Sequence, residues 1–238
     1  MPKLRALVAA FLFFAMVGLL TVSANAGIIT YSGSDPGANA SDPRPNSDAA
    51  AASFDAANPG LPIITFESAP LGAFTNLAVA PGVTINGSDV FSAPQTIINS
   101  PLPDCGSEPV CGFNTTSGGS QWLSLYGGSV TFTFASPINA FGAYLSGVQV
   151  DGESITFNDG APQSIGIVDP GSGVQFLGFS DTSAFSSVTI NVLNDIVAVD
   201  DVRYGSPGST GSAVPEPATF GLFGTALAGL GFLRRRLS

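Results

Sequence analysis

The central part of the chain, from Leu61 to Tyr204, is a succession of short runs rich in Val, Ile, Phe and Thr, separated by Gly, Pro, Asn and Asp. In Val130–Phe134 the apolar residues alternate with threonine, which gives a strand one apolar face and one polar face. The strands predicted in this way are Ile63–Phe66, Val83–Ile85, Thr96–Ile98, Trp122–Tyr126, Val130–Phe134, Ala140–Ser146, Ser154–Phe157, Ser164–Val168, Val174–Phe179, Ser187–Leu193 and Val197–Tyr204.

The connections between these runs are too short for crossover helices, and no stretch keeps a 3.6-residue period. About 145 residues suffice for one sizeable core. The sequence therefore predicts an all-β protein whose residues 61–205 form one antiparallel β-sandwich, most simply a jelly roll. An immunoglobulin-like sandwich is the alternative, disfavoured because the two cysteines are too close in sequence to join its two sheets.

The predicted first strand ends at Glu67, and the last strand reads as an apolar run followed by Asp200 and Asp201 and then Val202. This ending resembles the closing strand of jelly-roll domains such as MAM domains and calcium-binding carbohydrate-binding modules. The resemblance implies that Glu67 and Asp200 share a structural Ca²⁺, with Asp201 as the next candidate ligand, since Ca²⁺ takes six to eight oxygen ligands. The alternative is that Asp200 and Asp201 point to solvent on opposite sides, one of them pairing with Arg203.

The N-terminal segment has the pattern of a secretory signal peptide. Lys3 and Arg5 form a positive region, Ala6–Leu20 is apolar, and Ala24–Ala26 has the small-x-small pattern of a cleavage site. We therefore expect residues 1–26 to be removed and the mature chain to begin at Gly27. A retained N-terminal anchor is the alternative.

The C-terminal segment, residues 214–238, contains Pro215, Glu216 and Pro217, then an apolar run to Leu233, and then three arginines. The arginines are Arg234, Arg235 and Arg236. The order of these features resembles the PEP-CTERM sorting signal of exported bacterial proteins. As a helix the apolar run would reach roughly 24 Å, short of the ~30 Å hydrocarbon core, so it fits as a transmembrane span only marginally.

The PEP-CTERM resemblance implies a processing enzyme, an exosortase, that cuts at the proline motif. The transmembrane helix would then anchor the protein only until this cleavage. The three arginines would stay on the cytoplasmic side and leave the rest of the protein outside. The mature protein would then reside at the cell surface or in the extracellular matrix. A plain membrane anchor is the alternative.

Between the two terminal segments the chain is strongly acidic. Residues 27–214 hold sixteen acidic residues against two basic ones, Arg44 and Arg203, a net charge of −14. Such a surface repels nucleic acid and invites divalent cations. The chain has no histidine, the commonest general base and transition-metal ligand.

Residues 27–60 are rich in Ala, Ser, Asp, Asn and Pro and poor in large apolar side chains. They are predicted to form a flexible arm, with an edge strand at Ile28–Tyr31 and a short helical turn at Ala49–Ala52. Residues 206–213 read as a Ser/Gly linker. Cys105 and Cys111 predict a disulfide that closes a small loop in an oxidising compartment, with a reactive thiol pair as the alternative.

Three classes of function are compatible with this sequence. The first is a non-catalytic matrix or surface protein that binds extracellular polysaccharide, because the PEP-CTERM family is associated with exopolysaccharide producers and biofilms. The second is a specific carbohydrate-binding module. The third is a polysaccharide hydrolase using Asp151 and Glu153 as its paired carboxylates, which is disfavoured because both lie in a turn-like segment.

Overall fold

The computed structural model describes residues 27–88, 95–101, 111–168 and 173–207. The predicted signal peptide and sorting segment, and residues 208–213 of the predicted linker, lie outside these residues. Within the described ranges, no helix combines the length and the apolar character that a membrane crossing requires.

These residues form ten β-strands and one α-helix. The strands are β1 (Ile29–Pro36), β2 (Ile63–Ile64), β3 (Gly72–Ala73), β4 (Asn76–Ala80), β5 (Val83–Ser88), β6 (Thr96–Ile98), β7 (Trp122–Ser146), β8 (Ser154–Phe157), β9 (Gln163–Ser164) and β10 (Gly173–Gly205), and the helix is α1 (Pro45–Ala57). Every strand pairing is antiparallel, so the all-β antiparallel prediction is confirmed.

Two long strands organise the sheet. β7 has 25 residues and β10 has 33, and each joins three runs that the sequence predicted as separate strands. Their pairing shifts register between Ser180 and Phe185 and between Val192 and Ile196, so β10 follows β7 in several offset stretches. Such irregularities bend a strand, which lets one strand contribute to two layers.

The pairings describe two layers of strands. In the first, residues 140–146 of β7 lie between residues 173–180 and residues 198–205 of β10, with β1 outside the former and β2 outside the latter. In the second, residues 129–133 of β7 and 187–191 of β10 are central, flanked by β5 and β4 on one side and β8 and β9 on the other.

Apolar side chains from both layers meet in one core. Phe141 and Val199 come from the first layer, and Phe132 and Ile190 from the second, and all four are fully buried. The rings of Phe132 and Phe141 lie 5.5 Å apart between centroids in an edge-to-face arrangement, which is favourable for aromatic pairs. The alternation seen in the sequence therefore places one face of each strand in a sandwich core.

The structure differs from the predicted flexible arm at residues 27–60, where β1 extends the first layer and α1 packs on its outer face. Phe54 of the helix is fully buried against Phe176 and Tyr31, at centroid distances of 5.7 and 5.4 Å. Gly178 leaves room for this ring, because a Cβ at that position would meet Phe54 at 2.6 Å. This one aromatic residue thus anchors the helix to the sheet, which the small number of large apolar residues in this segment did not predict.

Candidate functional site

Glu67 and Asp200, the acids predicted to share a cation, both bind the loop formed by residues 113–121. Oε1 of Glu67 accepts hydrogen bonds from the backbone N–H groups of Ser120 and Gln121, each at 2.9 Å. The same oxygen accepts from the side-chain amide of Asn114 at 3.0 Å, and Oε2 accepts from Ser120 N at 3.0 Å. Glu67 therefore holds the C-terminal end of this loop.

Asp200 holds the other end of the loop. Its Oδ2 accepts from the backbone N–H groups of Thr115 at 2.7 Å and Thr116 at 3.1 Å, and from the Thr115 hydroxyl at 3.1 Å. The side chain is only 1 % exposed. Burial, followed by the neighbouring charge of Asp201, raises the pKa of Asp200 to about 7 although the backbone hydrogen bonds lower it.

Asp201 lies at an irregularity in β10 and has a left-handed backbone, with φ of 47°. Its Oδ1 accepts a hydrogen bond from the Thr116 hydroxyl at 2.7 Å, and its carbonyl oxygen accepts one from Nη1 of Arg203 at 2.9 Å. The Arg203 side chain instead forms its ion pair with Asp55 of α1, at 2.9 Å. The alternative in which Asp200 and Asp201 both face solvent is therefore wrong.

The donors that surround Glu67 and Asp200 bear on the calcium prediction. A cation needs oxygen ligands. The oxygens of these carboxylates instead accept hydrogen bonds from N–H and hydroxyl groups, and those hydrogens would have to move away before a cation could bind. Among the described residues, no three acidic or cysteine side chains come together as a metal site. The arrangement fits loop positioning, and calcium binding by Glu67, Asp200 and Asp201 stays a prediction.

The positioned loop forms one wall of a polar cleft with a volume of about 520 Å³. This size lies within the roughly 300–1,000 Å³ range of small-molecule sites. Its lining combines hydroxyl, amide, charged and aromatic groups: residues 40–42, Arg44, Asn99, residues 113–120 and Trp122. Trp122 is 4 % exposed, and its indole Nε1 has no hydrogen-bond partner among the described residues.

Arg44 connects the polar cleft to the sheet. Its Nη2 donates to the carbonyl oxygen of Thr115 at 3.1 Å, and its guanidinium carbon lies 5.0 Å from the centre of the Tyr144 ring. Arg203 stacks on the same ring at 5.5 Å. The two arginines of residues 27–214 therefore share one tyrosine, an arrangement that no sequence motif indicated.

The acids of the hydrolase alternative occupy different surroundings. Asp151 is exposed in a turn, whereas Glu153 is only 1 % exposed. Glu153 lies within the electrostatic influence of the Asp195 carboxyl group, and neither of its buried oxygens has a hydrogen-bond partner among the described residues. Burial and then the charge of Asp195 raise the pKa of Glu153 to about 8. Glu153 is therefore placed for a contact within the fold rather than for contact with a polymer.

The remaining predicted residues are only partly described. Cys111 is 5 % exposed and disulfide-bonded, but Cys105 lies outside the described residues, so the pairing of the two stays a prediction. Pro215, Glu216, Pro217 and the arginines Arg234, Arg235 and Arg236 also lie outside.

Comparison with known protein families gives a match at the C-terminus. Residues 213–236 match the PEP-CTERM protein-sorting motif, which confirms the resemblance drawn from the proline triplet and the arginines. The motif implies an exported protein that an exosortase sorts. No curated protein matches the chain.

Solved structures give weaker likenesses. One is the N-terminal CBM22-1–CBM22-2 tandem domain of Paenibacillus barcinonensis Xyn10C, with 12 % identity and a TM-score of 0.31 over 61 % of this chain and 45 % of that one. Another is the CBM22-1 xylan-binding domain of the same protein, with 12 % identity and a TM-score of 0.30 over 61 % and 94 % of the two chains. TmCBM61 in complex with β-1,4-galactotriose has 11 % identity and a TM-score of 0.26 over 59 % and 93 %. TM-scores this low carry no conclusion about ligands.

Proposed function

We propose that this protein is an exported, non-catalytic protein of the cell surface or extracellular matrix that associates with exopolysaccharide, as in a biofilm. The observation that carries the proposal is the PEP-CTERM motif at residues 213–236, which directs export and sorting. The described body is an acidic β-sandwich with a buried core between its layers and a second buried cluster beneath α1.

In this proposal the C-terminal segment brings the protein to the membrane for processing. The apolar run after Pro217 holds the protein in the membrane until an exosortase cuts near the proline motif. Pro215 and Pro217 support this role because proline and the residue before it disfavour helix, so the sequence predicts an extended strip at the motif. The mature body is then released to the surface or matrix.

The polar cleft is the proposed contact with the polysaccharide. Sugar recognition needs hydroxyl and amide groups in fixed positions, and fixed positions reduce the entropy lost on binding. Glu67 and Asp200 provide this rigidity, because they hold the 113–121 loop by backbone N–H groups at both ends. The loop in turn presents Asn114, Thr116 and Ser117 along the cleft.

A specific carbohydrate-binding module is the second candidate, and the same cleft favours it. The two candidates differ in selectivity: a matrix protein needs only to associate with its own polysaccharide, whereas a binding module discriminates between glycans. Hydrolysis is a weaker candidate, because the burial of Glu153 keeps it from a polymeric substrate.

The test is retention of the protein in the polysaccharide fraction of its native host. Ser117 is exposed at the tip of the 113–121 loop, so Ser117→Trp should block the polar cleft without disturbing the core. We expect this variant to be exported and processed normally but released into the medium. Ser183→Trp, at an exposed position away from the cleft, is the matched control and should be retained. Equal retention of both variants would exclude the cleft, and loss of wild-type protein to the medium would exclude matrix association.

A further inference from the structure

The edge strand β1 has two faces with different surroundings. Tyr31 packs against Phe54 of α1, and Asp35 binds the N-terminus of the same helix, so the helix covers this face. Thr30, Ser32 and Ser34 alternate with these residues and point to the opposite face. All three are exposed, so the second layer does not cover the inner face of β1.

This uncovered face forms one side of a second cavity, of about 440 Å³, which we call the hydroxyl groove. Thr30, Ser32 and Ser34 lie directly opposite Phe179, Leu177 and Gln175 of β10 in the strand register. The facing wall includes Gln163, Ser164 and Ile167, from β9 and the segment after it. The groove therefore runs along β1, at the side of the sandwich where the first layer extends past the second.

The groove offers hydrogen-bonding groups that the protein itself does not use. Among the described residues, the hydroxyls of Thr30, Ser32, Ser34 and Ser164 have no side-chain hydrogen bond to any protein group. The amide nitrogen of Gln175 donates to the carbonyl oxygen of Gly166 at 2.9 Å, which leaves the amide oxygen as an acceptor. Hydroxyls spaced two residues apart on a strand repeat every ~6.6 Å. A ligand with repeating hydroxyl groups can match such a row.

The lining is also neutral. The groove contains no charged residue among those described, although residues 27–214 carry a net charge of −14. A neutral ligand can enter without taking a carboxylate out of water, a step that is energetically costly. The long-range field of the acidic body meanwhile disfavours an anionic ligand.

Apolar groups complete the groove. Leu177 and Phe179 form its floor, and Ile167 on the wall is 37 % exposed. Sugar rings have apolar C–H faces beside their hydroxyls, so a combination of free hydroxyls and an apolar floor suits them better than it suits a peptide or a lipid.

From the uncovered face of β1, the free hydroxyls and the neutral lining, we infer that the hydroxyl groove binds a neutral polysaccharide chain. The inference deepens the proposed function and rests on it, because it names the class of polysaccharide and a second contact surface. The groove and the polar cleft have no lining residue in common, so the two surfaces can be tested separately.

The test is affinity electrophoresis of the purified protein in gels containing dextran, galactomannan or a soluble β-glucan, with alginate and pectate as acidic polymers. We expect at least one neutral polymer to retard the wild-type protein and the acidic polymers to have no effect. Ser32→Asp places a charge in the groove and should weaken neutral-polymer binding at least tenfold. Thr133→Asp makes the same chemical change at an exposed position of β7 outside the groove and should bind as the wild type does.

Each other outcome is decisive. Retardation by no neutral polymer, or equal binding by Ser32→Asp and wild type, would overturn the inference. An equal loss in Thr133→Asp would assign the effect to net charge and overturn it as well. If only Ser117→Trp lost binding, the groove would be excluded while the proposed function stood. If the protein were not retained in its host matrix at all, the proposed function itself would fail.

Discussion

Asp35 of β1 caps the N-terminus of α1 by binding Ser47. Oδ2 of Asp35 accepts hydrogen bonds from the Ser47 backbone N–H at 2.8 Å and from its hydroxyl at 2.6 Å, while Oδ1 accepts from Asn46 N at 3.0 Å. The residue at the usual capping position, Arg44, makes no such side-chain bond. A residue of the preceding strand thus replaces the local cap and ties the helix to the sheet.

Removing this cap should destabilise the protein. We expect Asp35→Ala to lower the free energy of unfolding by about 1–2 kcal/mol, the usual cost of losing a helix cap, or more because Asp35 is only 6 % exposed. Urea denaturation monitored by circular dichroism measures the difference. Asp151→Ala changes the charge equally at an exposed turn position and is the control. Equal midpoints for the two variants would contradict the capping role.

The sequence predicted the sandwich, but of helix α1 only a short turn at Ala49–Ala52, for a physical reason. Alternation reports which face of a strand is buried, and this holds wherever two sheets cover each other, as at Val130–Phe134. Helix α1 has no apolar stripe of its own, since it contributes mainly Phe54 to the core. Its stability depends on contacts outside the helix: Asp35 lies in the strand just before it, and Phe176 and Gly178 lie far away in sequence.

The sequence predicted one part of the candidate site, its acidic residues, but not the groups that they bind. The first-strand and last-strand acids are linked through one loop, because Asp200 and Glu67 bind its two ends, but among the described residues they form no cluster of three metal-ligating side chains. Their partners could not be predicted, since backbone N–H groups of Thr115, Thr116 and Ser120 carry no side-chain signature. No sequence motif marked the hydroxyls of β1 either. They became candidate ligand contacts only because the structure leaves their side of the sandwich uncovered.

The sorting motif can be tested by replacing Pro215, Glu216 and Pro217 with alanine. We expect the tail to stay attached, because alanine favours helix and removes the extended strip that an exosortase would read. The intact mass of the protein from its native host measures the C-terminus, and it reports signal-peptide removal at the same time. An unchanged C-terminus would contradict processing at this motif.

The predicted disulfide between Cys105 and Cys111 should leave no free thiol. Thiol titration of the purified, denatured protein should give none before reduction and two after it. The cross-link should add on the order of 2–3 kcal/mol, since it closes a short loop. Titratable thiol in the unreduced protein would contradict the pairing.

Calcium binding is a second role predicted for Glu67 and Asp200, and it can be tested by its effect on stability. If Ca²⁺ binds only the native state, the free energy of unfolding should rise by roughly 2.7 kcal/mol at a hundredfold excess over Kd. Mg²⁺ should substitute poorly because it requires a tighter octahedron. Thermal melting with EDTA, Ca²⁺ or Mg²⁺ measures this.

Two variants separate calcium binding from loop positioning. Glu67→Gln and Asp200→Asn should abolish any calcium-dependent rise in Tm. If both acids serve only to hold the loop, the variants should lower Tm equally in EDTA and in calcium, and wild-type melting should not respond to calcium. A calcium shift that survives both substitutions would place the ion elsewhere.

The buried carboxyl pair of Glu153 and Asp195 makes stability depend on pH. Asp195 accepts hydrogen bonds from the backbone N–H groups of Gln149 at 2.6 Å, Val150 at 3.1 Å and Ile196 at 2.8 Å. Glu153 has no such donor. Its burial, and then the nearby charge of Asp195, raise the pKa of Glu153 and favour its protonated form.

The pKa of Glu153 is about 8 in the folded protein against an ordinary value of 4.5, so the folded state binds more protons between these values. The free energy of unfolding should therefore be highest below pH 4.5 as far as this group is concerned, and should fall as pH rises to about 8. Asp200, with a pKa of about 7, adds to the fall at lower pH.

Glu153→Gln tests this assignment, because it keeps a neutral side chain of the same size but does not titrate. Relative to wild type, it should gain at least about 1 kcal/mol between pH 5 and pH 8.5, or about 2–4 °C in Tm. Melting curves of both proteins across this range measure the difference, from which the Asp200 contribution cancels. A difference that stays constant with pH would show that Glu153 is not the group that titrates.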